Sequence, residues 1–314
     1  MNELLFEPLT TPEQWCEIQP CFEIGGVTFT QPLGSILVYL LALLWIAGGV
    51  YFWRIREGQR SREWMALALV LGGIGAGLAG TSYQFLGYEL KCAGRDLCLW
   101  THWFEVGYMM LQAASASAML IAVATACTTG ALRLGLVIYA VANTVAYIAL
   151  ATYGALTAAK ALISFELLMV FAAPGLLLIL VIAAVRWLRD RDSMDLALIG
   201  AGVWLIFTIA AYSAYLAAGL TASLWKGGDG FYLSENDVLH IGMILFIAYL
   251  VAVVAHRLRD NAPSGGDVVE RSTFRARRKV ERSTTSPFTS TNRGIQCISF
   301  AGSASRWPCS SSAS

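Results

Sequence analysis

The amino-acid sequence predicts an all-α polytopic membrane protein: a seven-transmembrane-helix bundle with its amino terminus outside and its carboxyl terminus in the cytoplasm. Two observations predict the bundle. The 314-residue chain is 57% hydrophobic and only 14% charged, whereas about a quarter of the residues in soluble domains are charged. Its apolar residues are also collected into seven long runs, and a helix needs roughly 20 apolar residues to cross a bilayer. A third observation, the placement of the arginines, predicts the orientation.

The seven predicted spans follow one another with mostly short connectors. They cover residues 33–53, 64–86, 100–127, 133–153, 161–185, 196–220 and 236–255. Residues 1–32 then form an extracytoplasmic amino-terminal segment, residues 33–260 the transmembrane domain, and residues 261–314 a disordered cytoplasmic tail. Short connectors favour antiparallel packing of consecutive spans. Small residues in the second and third spans, among them Gly73 and Gly77, predict that these two helices lie inside the bundle.

The arginines of the connectors lie at alternate ends of the predicted spans. One set of connectors and the end of the last span hold Arg54, Arg56, Arg60, Arg62, Arg133, Arg186, Arg189, Arg191, Arg257 and Arg259. The opposite connectors hold only Lys91, Arg95, Lys160 and Lys226, and the charged residues of the amino-terminal segment are all acidic. Because cytoplasmic connectors carry an excess of Lys and Arg, the arginine-rich connectors are predicted to face the cytoplasm.

Four cysteines lie in the regions predicted to be outside, as two close pairs. An oxidising exterior permits disulfides there. A bond between Cys92 and Cys98 would close the connector of the second and third spans. Cys16 would pair with Cys21, or both would cross-pair with that connector, and either arrangement pins the amino-terminal segment. Four free thiols are the alternative.

Ionisable residues inside the predicted spans gather in the outer half of the bundle. His102 and Glu105 stand three residues apart in the third span, so they share a helix face. Asp237 and His240 have the same spacing in the seventh span. The outer half also holds Glu166 of the fifth span and the polar residues Ser82 and Tyr83 of the second. Since ionisable groups are costly within a bilayer, they usually mark functional sites.

Three interpretations fit this cluster. A metal site can form from two His/carboxylate pairs and a carboxylate of another helix, with His102, Glu105, Asp237, His240 and Glu166 as the candidate ligands. Such a set can hold zinc with one position open for water. A relay for protons or substrate is the second interpretation. A hydrogen-bonded network that only joins the helices is the third.

The polar residues of the second, third and seventh predicted spans resemble the motifs of the CREST superfamily, which includes alkaline ceramidases and PAQR-type receptors. Ser82 matches the second-span serine of that family, and Glu105 stands in place of its third-span aspartate. Residues 236–240, Asn-Asp-Val-Leu-His, stand in place of its seventh-span His-x-x-x-His. The second-span histidine of the family has no counterpart. The resemblance implies a seven-span, zinc-dependent hydrolase.

The hydrolase hypothesis assigns catalysis of lipid-like amide or ester cleavage to Glu105, His240, Asp237 and Ser82. Glu105 or His240 would activate a water molecule, and Ser82 or Tyr83 would stabilise the oxyanion. The alternative hypothesis is a non-enzymatic membrane sensor, binding protein or transporter that uses the same pocket.

The expected partners are membrane lipids and a small or lipid-like ligand in the outer half of the bundle, in the cell membrane. No nucleic-acid partner is expected, and the formal net charge of +1 indicates no particular partner. The last predicted span contains no lysine, which excludes a retinal Schiff base at that position.

Overall fold

A computed structural model describes residues 4–7, 9–227 and 230–261. The predicted disordered tail, residues 261–314, therefore lies outside the described residues apart from Asn261. The described part is almost entirely helical, with one short hairpin near the amino terminus.

Within the described residues, seven helices are long and apolar enough to cross a membrane, so the prediction of a seven-helix membrane protein is confirmed. Spans 1 to 7 are Pro32–Arg54, Arg60–Phe85, Trp103–Cys127, Gly130–Thr157, Phe165–Asp190, Ser193–Ala217 and Glu235–Val254. The last turns of spans 2 and 7, Gly80–Phe85 and Leu250–Val254, are π-helical.

The remaining elements are short and flank the spans. The amino-terminal segment contains a helix, Pro12–Ile18, and two antiparallel strands, β1 (Cys21–Ile24) and β2 (Val27–Thr30). The connectors contain the helices Gly87–Lys91, Lys160–Ile163 and Leu220–Lys226.

Span ends coincide with residues that favour helix starts. Pro32 occupies the first turn of span 1, where its missing N–H costs nothing. Ser164 and Asp192 cap spans 5 and 6 by accepting hydrogen bonds from backbone N–H groups. Ser234 and Asp237 form a capping box at the start of span 7. These caps account for differences of one to four residues from the predicted starts of these spans.

Spans 2 and 3 are the inner helices, as their small residues predict. In their most apolar windows 61% and 67% of the residues are buried, against 22% and 17% in spans 4 and 5. Spans 4 and 5 expose apolar side chains such as Val145 and Val181, which suit contact with hydrocarbon.

The spans form a closed ring in the order 1, 2, 3, 5, 6 and 7, with span 4 packed outside the ring on span 3. Consecutive spans are therefore neighbours except at span 4, which has little contact with span 5. Span 7 packs mainly against spans 1 and 6 rather than along span 3. Span 2 consequently lies between Glu105 of span 3 and the polar residues of spans 1 and 7.

Both predicted disulfides of adjacent cysteines form, and the cross-pairing alternative is excluded. Cys16 is bonded to Cys21, and Cys92 to Cys98. Cys127 is a free, buried cysteine at the opposite end of the bundle. We call the end that holds both disulfides the disulfide end.

The amino-terminal segment binds the connectors at the disulfide end. The backbone N–H of Cys98 donates to the carbonyl of Thr10 at 2.8 Å. Lys160 donates to the carbonyl of Glu7 at 2.7 Å. The indole of Trp225 donates to the Glu17 carbonyl at 3.2 Å, so three separate connectors are joined through the segment.

The opposite end, which we call the arginine end, is joined by charged residues. Asp260 accepts hydrogen bonds from the first backbone N–H groups of span 2, those of Arg60 and Ser61, at 2.9 and 2.8 Å. Arg186 of span 5 pairs with the buried Asp195 of span 6 at 3.1 Å. Arg259 pairs with Asp192 at 2.6 Å. Two of the arginines that predicted the orientation therefore also join elements of this end: Arg186 joins spans 5 and 6, and Arg259 joins the end of span 7 to the cap of span 6.

Candidate functional site: polar residues at the disulfide end

The π-helical turn of span 2 touches three other elements of the disulfide end. The hydroxyls of Thr81 and Tyr39 of span 1 are hydrogen-bonded at 2.8 Å. Ser82 donates to Glu105 of span 3 at 2.9 Å. Thr30, at the end of β2, donates its hydroxyl to the Gln84 carbonyl. A π-helical turn widens the helix and redirects its side chains, and such turns are frequent at functional sites.

Glu105 lies at the centre of a buried hydrogen-bond network. Its carboxylate accepts from the Lys91 ammonium at 2.6 Å, from Ser82 at 2.9 Å and from Thr101 at 2.7 Å. Both Glu105 and Lys91 are buried, with 0% and 3% of their surfaces exposed. Both carboxylate oxygens are thus bound by donors of the protein, so neither is left unpaired by burial.

Lys91 belongs to this network, although its position in the sequence indicates only a connector charge. Its ammonium lies 4.9 Å from the ring centre of Tyr83 and 5.2 Å from that of Trp15. The disulfide that starts at Cys92 and a hydrogen bond from the Leu99 N–H to the Lys91 carbonyl hold its backbone. Two features of the sequence could have indicated Lys91. It directly precedes a cysteine of a predicted disulfide, and the outer half of the predicted spans holds carboxylates of opposite charge.

Asp237 and His240 lie one helical turn apart at the start of span 7, as their spacing predicts. Oδ2 of Asp237 accepts from the Ser234 backbone N–H at 2.7 Å, and the Ser234 hydroxyl accepts from the Asp237 N–H. Asp237 Oδ1 and His240 Nδ1 are buried and have no hydrogen-bond partner in the part of the chain that the structure describes. Asp237 is fully buried, and His240 is 9% exposed.

Two glutamines with further unpaired oxygens lie beside Asp237. Oε1 of Gln31 and Oε1 of Gln84 are buried without a hydrogen-bond partner among the described residues. Both glutamines and Asp237 surround Gly34, in the first turn of span 1. We call Gln31 Oε1, Gln84 Oε1 and Asp237 Oδ1 the acceptor cluster. Gln31 and Gly34 were not predicted, because an uncharged residue at a helix start is an ordinary occurrence.

The other two predicted metal ligands, His102 and Glu166, do not belong to the acceptor cluster. His102 caps span 3, where its Nδ1 accepts from the Phe104 N–H at 3.3 Å. Burial lowers the pKa of His102, although the charge of Glu105 opposes that effect. Glu166 is exposed at the start of span 5.

The structure therefore divides the predicted site into separate parts. It joins Ser82 to Glu105 by a hydrogen bond, and it places Asp237 one turn from His240. The hydrogen bonds of Glu105 go to Lys91, Ser82 and Thr101 rather than to a histidine. Across residues 4–7, 9–227 and 230–261, no group of three or more His, Cys, Asp or Glu side chains is arranged to hold a metal ion.

No protein-family model matches the chain, and no curated protein matches its sequence. Function is therefore inferred from the side chains at the disulfide end.

Proposed function

We propose that this chain is a cell-membrane binding protein, of the sensor or transporter class, that takes a small polar solute at the disulfide end. The observation that carries the proposal is the set of buried atoms without partners at the cap of span 1 and on spans 2 and 7: the acceptor cluster and Nδ1 of His240. Leaving a buried polar group unpaired costs about 1–3 kcal/mol, so several together favour a site that a ligand completes.

The chemistry of these atoms selects the solute. The three oxygens of the acceptor cluster can only accept hydrogen bonds or coordinate a cation. One of them belongs to a carboxylate, which favours a positively charged partner. The imidazole of His240 adds a group that donates or accepts according to its tautomer. A small molecule with an ammonium or several hydroxyl donors fits this set.

The proposed orientation places the disulfide end outside and the arginine end in the cytoplasm. The excess of arginine at one end supports this orientation. The two disulfides at the other end support it independently, because disulfides persist in oxidising compartments. The solute would then enter from the exterior.

Thermal unfolding of the purified chain in detergent tests the proposal. Glycine, ethanolamine, putrescine and glycerol form a panel of donor-bearing solutes. At least one should raise the unfolding midpoint, because a ligand that binds only the folded state stabilises it. Asp237→Asn and His240→Ala should abolish the rise, whereas Glu166→Gln, which changes an exposed carboxylate, should retain it. No rise with any solute, or an equal rise in all variants, would contradict the proposal.

A hydrolase is the second candidate function, and the hydrogen bond between Ser82 and Glu105 favours it. Ser82 matches the second-span serine of the CREST superfamily, Glu105 stands in place of its third-span aspartate, and the two lie in contact at 2.9 Å. A hydrolase would release fatty acid from a fluorescent ceramide after incubation with zinc, and Ser82→Ala would abolish the release. Absence of release from the wild-type chain with zinc bound would exclude this candidate for that lipid.

A further inference from the structure

The acceptor cluster surrounds one point in the first turn of span 1. A methyl group placed on Gly34 would lie 2.8 Å from Oδ1 of Asp237 and 3.3 Å from Oε1 of Gln31. It would also lie 3.2 Å from Cγ of Gln84. The three polar residues are buried, with 0%, 8% and 2% of their surfaces exposed for Asp237, Gln31 and Gln84. Buried side chains from the cap of span 1, from span 2 and from span 7 therefore meet at Gly34, where a larger residue would clash with them.

The surrounding hydrogen bonds leave two of these oxygens, Oε1 of Gln31 and Oδ1 of Asp237, unpaired beside Gly34. The amide nitrogen of Gln31 donates to Oε1 of Gln19, which leaves Oε1 of Gln31 on the other side. Oδ2 of Asp237 is bound to the Ser234 N–H, which leaves Oδ1 for the site. Gln31 also has a left-handed backbone, with φ of 45°, a strained conformation for a residue other than glycine. Strain of this kind is concentrated at binding sites.

We infer that the acceptor cluster coordinates a monovalent metal cation of the sodium type. Hard cations take oxygen ligands from carboxylates, amide carbonyls and water, and the acceptor cluster supplies one carboxylate and two amides. A single carboxylate balances one positive charge, whereas a divalent ion would leave a buried charge uncompensated. The inference rests on the unpaired oxygens of the proposed function, so the ion and the solute are alternative occupants of the acceptor cluster, which the solute panel distinguishes.

Position 34 requires glycine because a side chain would clash there, and not because of its backbone conformation. Its backbone is that of an ordinary helix residue, and its side-chain position faces the acceptor cluster. A methyl group there would lie only 2.8 Å from Oδ1 of Asp237, so that oxygen would have to move out of the acceptor cluster. Gly34→Ala is therefore a substitution that blocks the site without removing any ligand oxygen.

The ion dependence of thermal unfolding tests the inference. The full-length chain in detergent is titrated with NaCl, LiCl, KCl or MgCl₂, and tetraethylammonium chloride, which has no donors and is bulky, keeps the ionic strength constant. Sodium or lithium should raise the unfolding midpoint to a plateau. An unchanged midpoint with all three alkali ions, or a plateau with magnesium alone, would overturn the inference.

Variants assign the effect to the acceptor cluster. Asp237→Asn, Gln84→Met and Gly34→Ala should each weaken the sodium response at least tenfold. Gly135→Ala is the matched control, because a methyl group at this position of span 4 meets open space. A sodium response in Asp237→Asn equal to that of the wild-type chain would also overturn the inference, even if Gly34→Ala fails to fold.

The solute panel separates this inference from the proposed function. A solute that raises the midpoint in tetraethylammonium chloride, while alkali ions have no effect, would leave the proposed function and remove the cation. A sodium plateau without any response to the solutes would support the cation and contradict the proposed solute site.

Discussion

At the scale of single residues, the buried ion pair of Lys91 and Glu105 has the clearest energetic consequence. Removing one member of such a pair leaves an uncompensated charge. We predict that Lys91→Met lowers the free energy of unfolding by about 3–5 kcal/mol. Chemical unfolding in detergent measures it, and Lys226→Met, at an exposed connector lysine, should change little.

The double variant Lys91→Met/Glu105→Gln tests the coupling of the pair. Because the second change removes the buried charge, the double variant should be more stable than Lys91→Met alone. Losses that simply add would mean that the two side chains do not interact.

His102 gives a prediction for pH. Its neutral ring accepts the hydrogen bond that caps span 3, and burial lowers its pKa below that of the unfolded chain. A lowered histidine pKa means that this contribution is present above about pH 6.5 and is lost as the pH falls below that value. The midpoint of thermal unfolding should therefore fall from pH 7 to pH 5.

His102→Asn is the control for that pH dependence, because asparagine also caps helices but does not titrate in this range. Part of the fall should disappear in this variant. An identical fall in both proteins would assign the pH dependence to other groups.

At the scale of elements, hydrophobic runs predicted all seven spans, but local departures from regular structure were not predictable. The π-helical turn at Gly80–Phe85 adds one residue to a helical turn, and a hydrophobic pattern barely records that change. Strands β1 and β2 are four residues each, too short for an alternating pattern to identify. Gln31 directly follows β2 and Gln84 lies in the π-helical turn, so the hydrophobic pattern could not indicate the acceptor cluster.

The disulfide between Cys92 and Cys98 holds the connector that carries Lys91. Closing a loop of this length stabilises the folded state by about 2 kcal/mol in the chain-entropy account. We predict that Cys92→Ser/Cys98→Ser loses at least that much, since Lys91 is also released from its position beside Glu105. Chemical unfolding measures the loss, and mass mapping without reduction should find the two wild-type cysteines joined.

Cys16→Ser/Cys21→Ser is the matched control for the same measurement. It removes a disulfide with a sequence separation of 5 instead of 6 but leaves the Lys91 connector closed. A larger loss in this control than in Cys92→Ser/Cys98→Ser would contradict the role given to the connector.

At the scale of the whole molecule, charge and polarity separate the two ends of the bundle. Arginines and their carboxylate partners join the spans at the arginine end, as between Arg186 and Asp195. Disulfides, the amino-terminal segment and the candidate site occupy the disulfide end. The positions of the arginines predicted this separation, because ten of them lie at one set of span ends. They did not predict which spans are neighbours, since ring order depends on side-chain packing, and span 4 lies outside the ring.

The central claim is that the disulfide end faces the exterior, and cysteine labelling in intact cells tests it most directly. Lys226→Cys and Arg189→Cys place single thiols at the disulfide and arginine ends, in a chain whose Cys127, Cys297 and Cys309 are replaced by serine. Both positions are exposed. A membrane-impermeant maleimide should label Lys226→Cys in intact cells and Arg189→Cys only after lysis. Labelling of both thiols in intact cells, or of Arg189→Cys alone, would contradict the account.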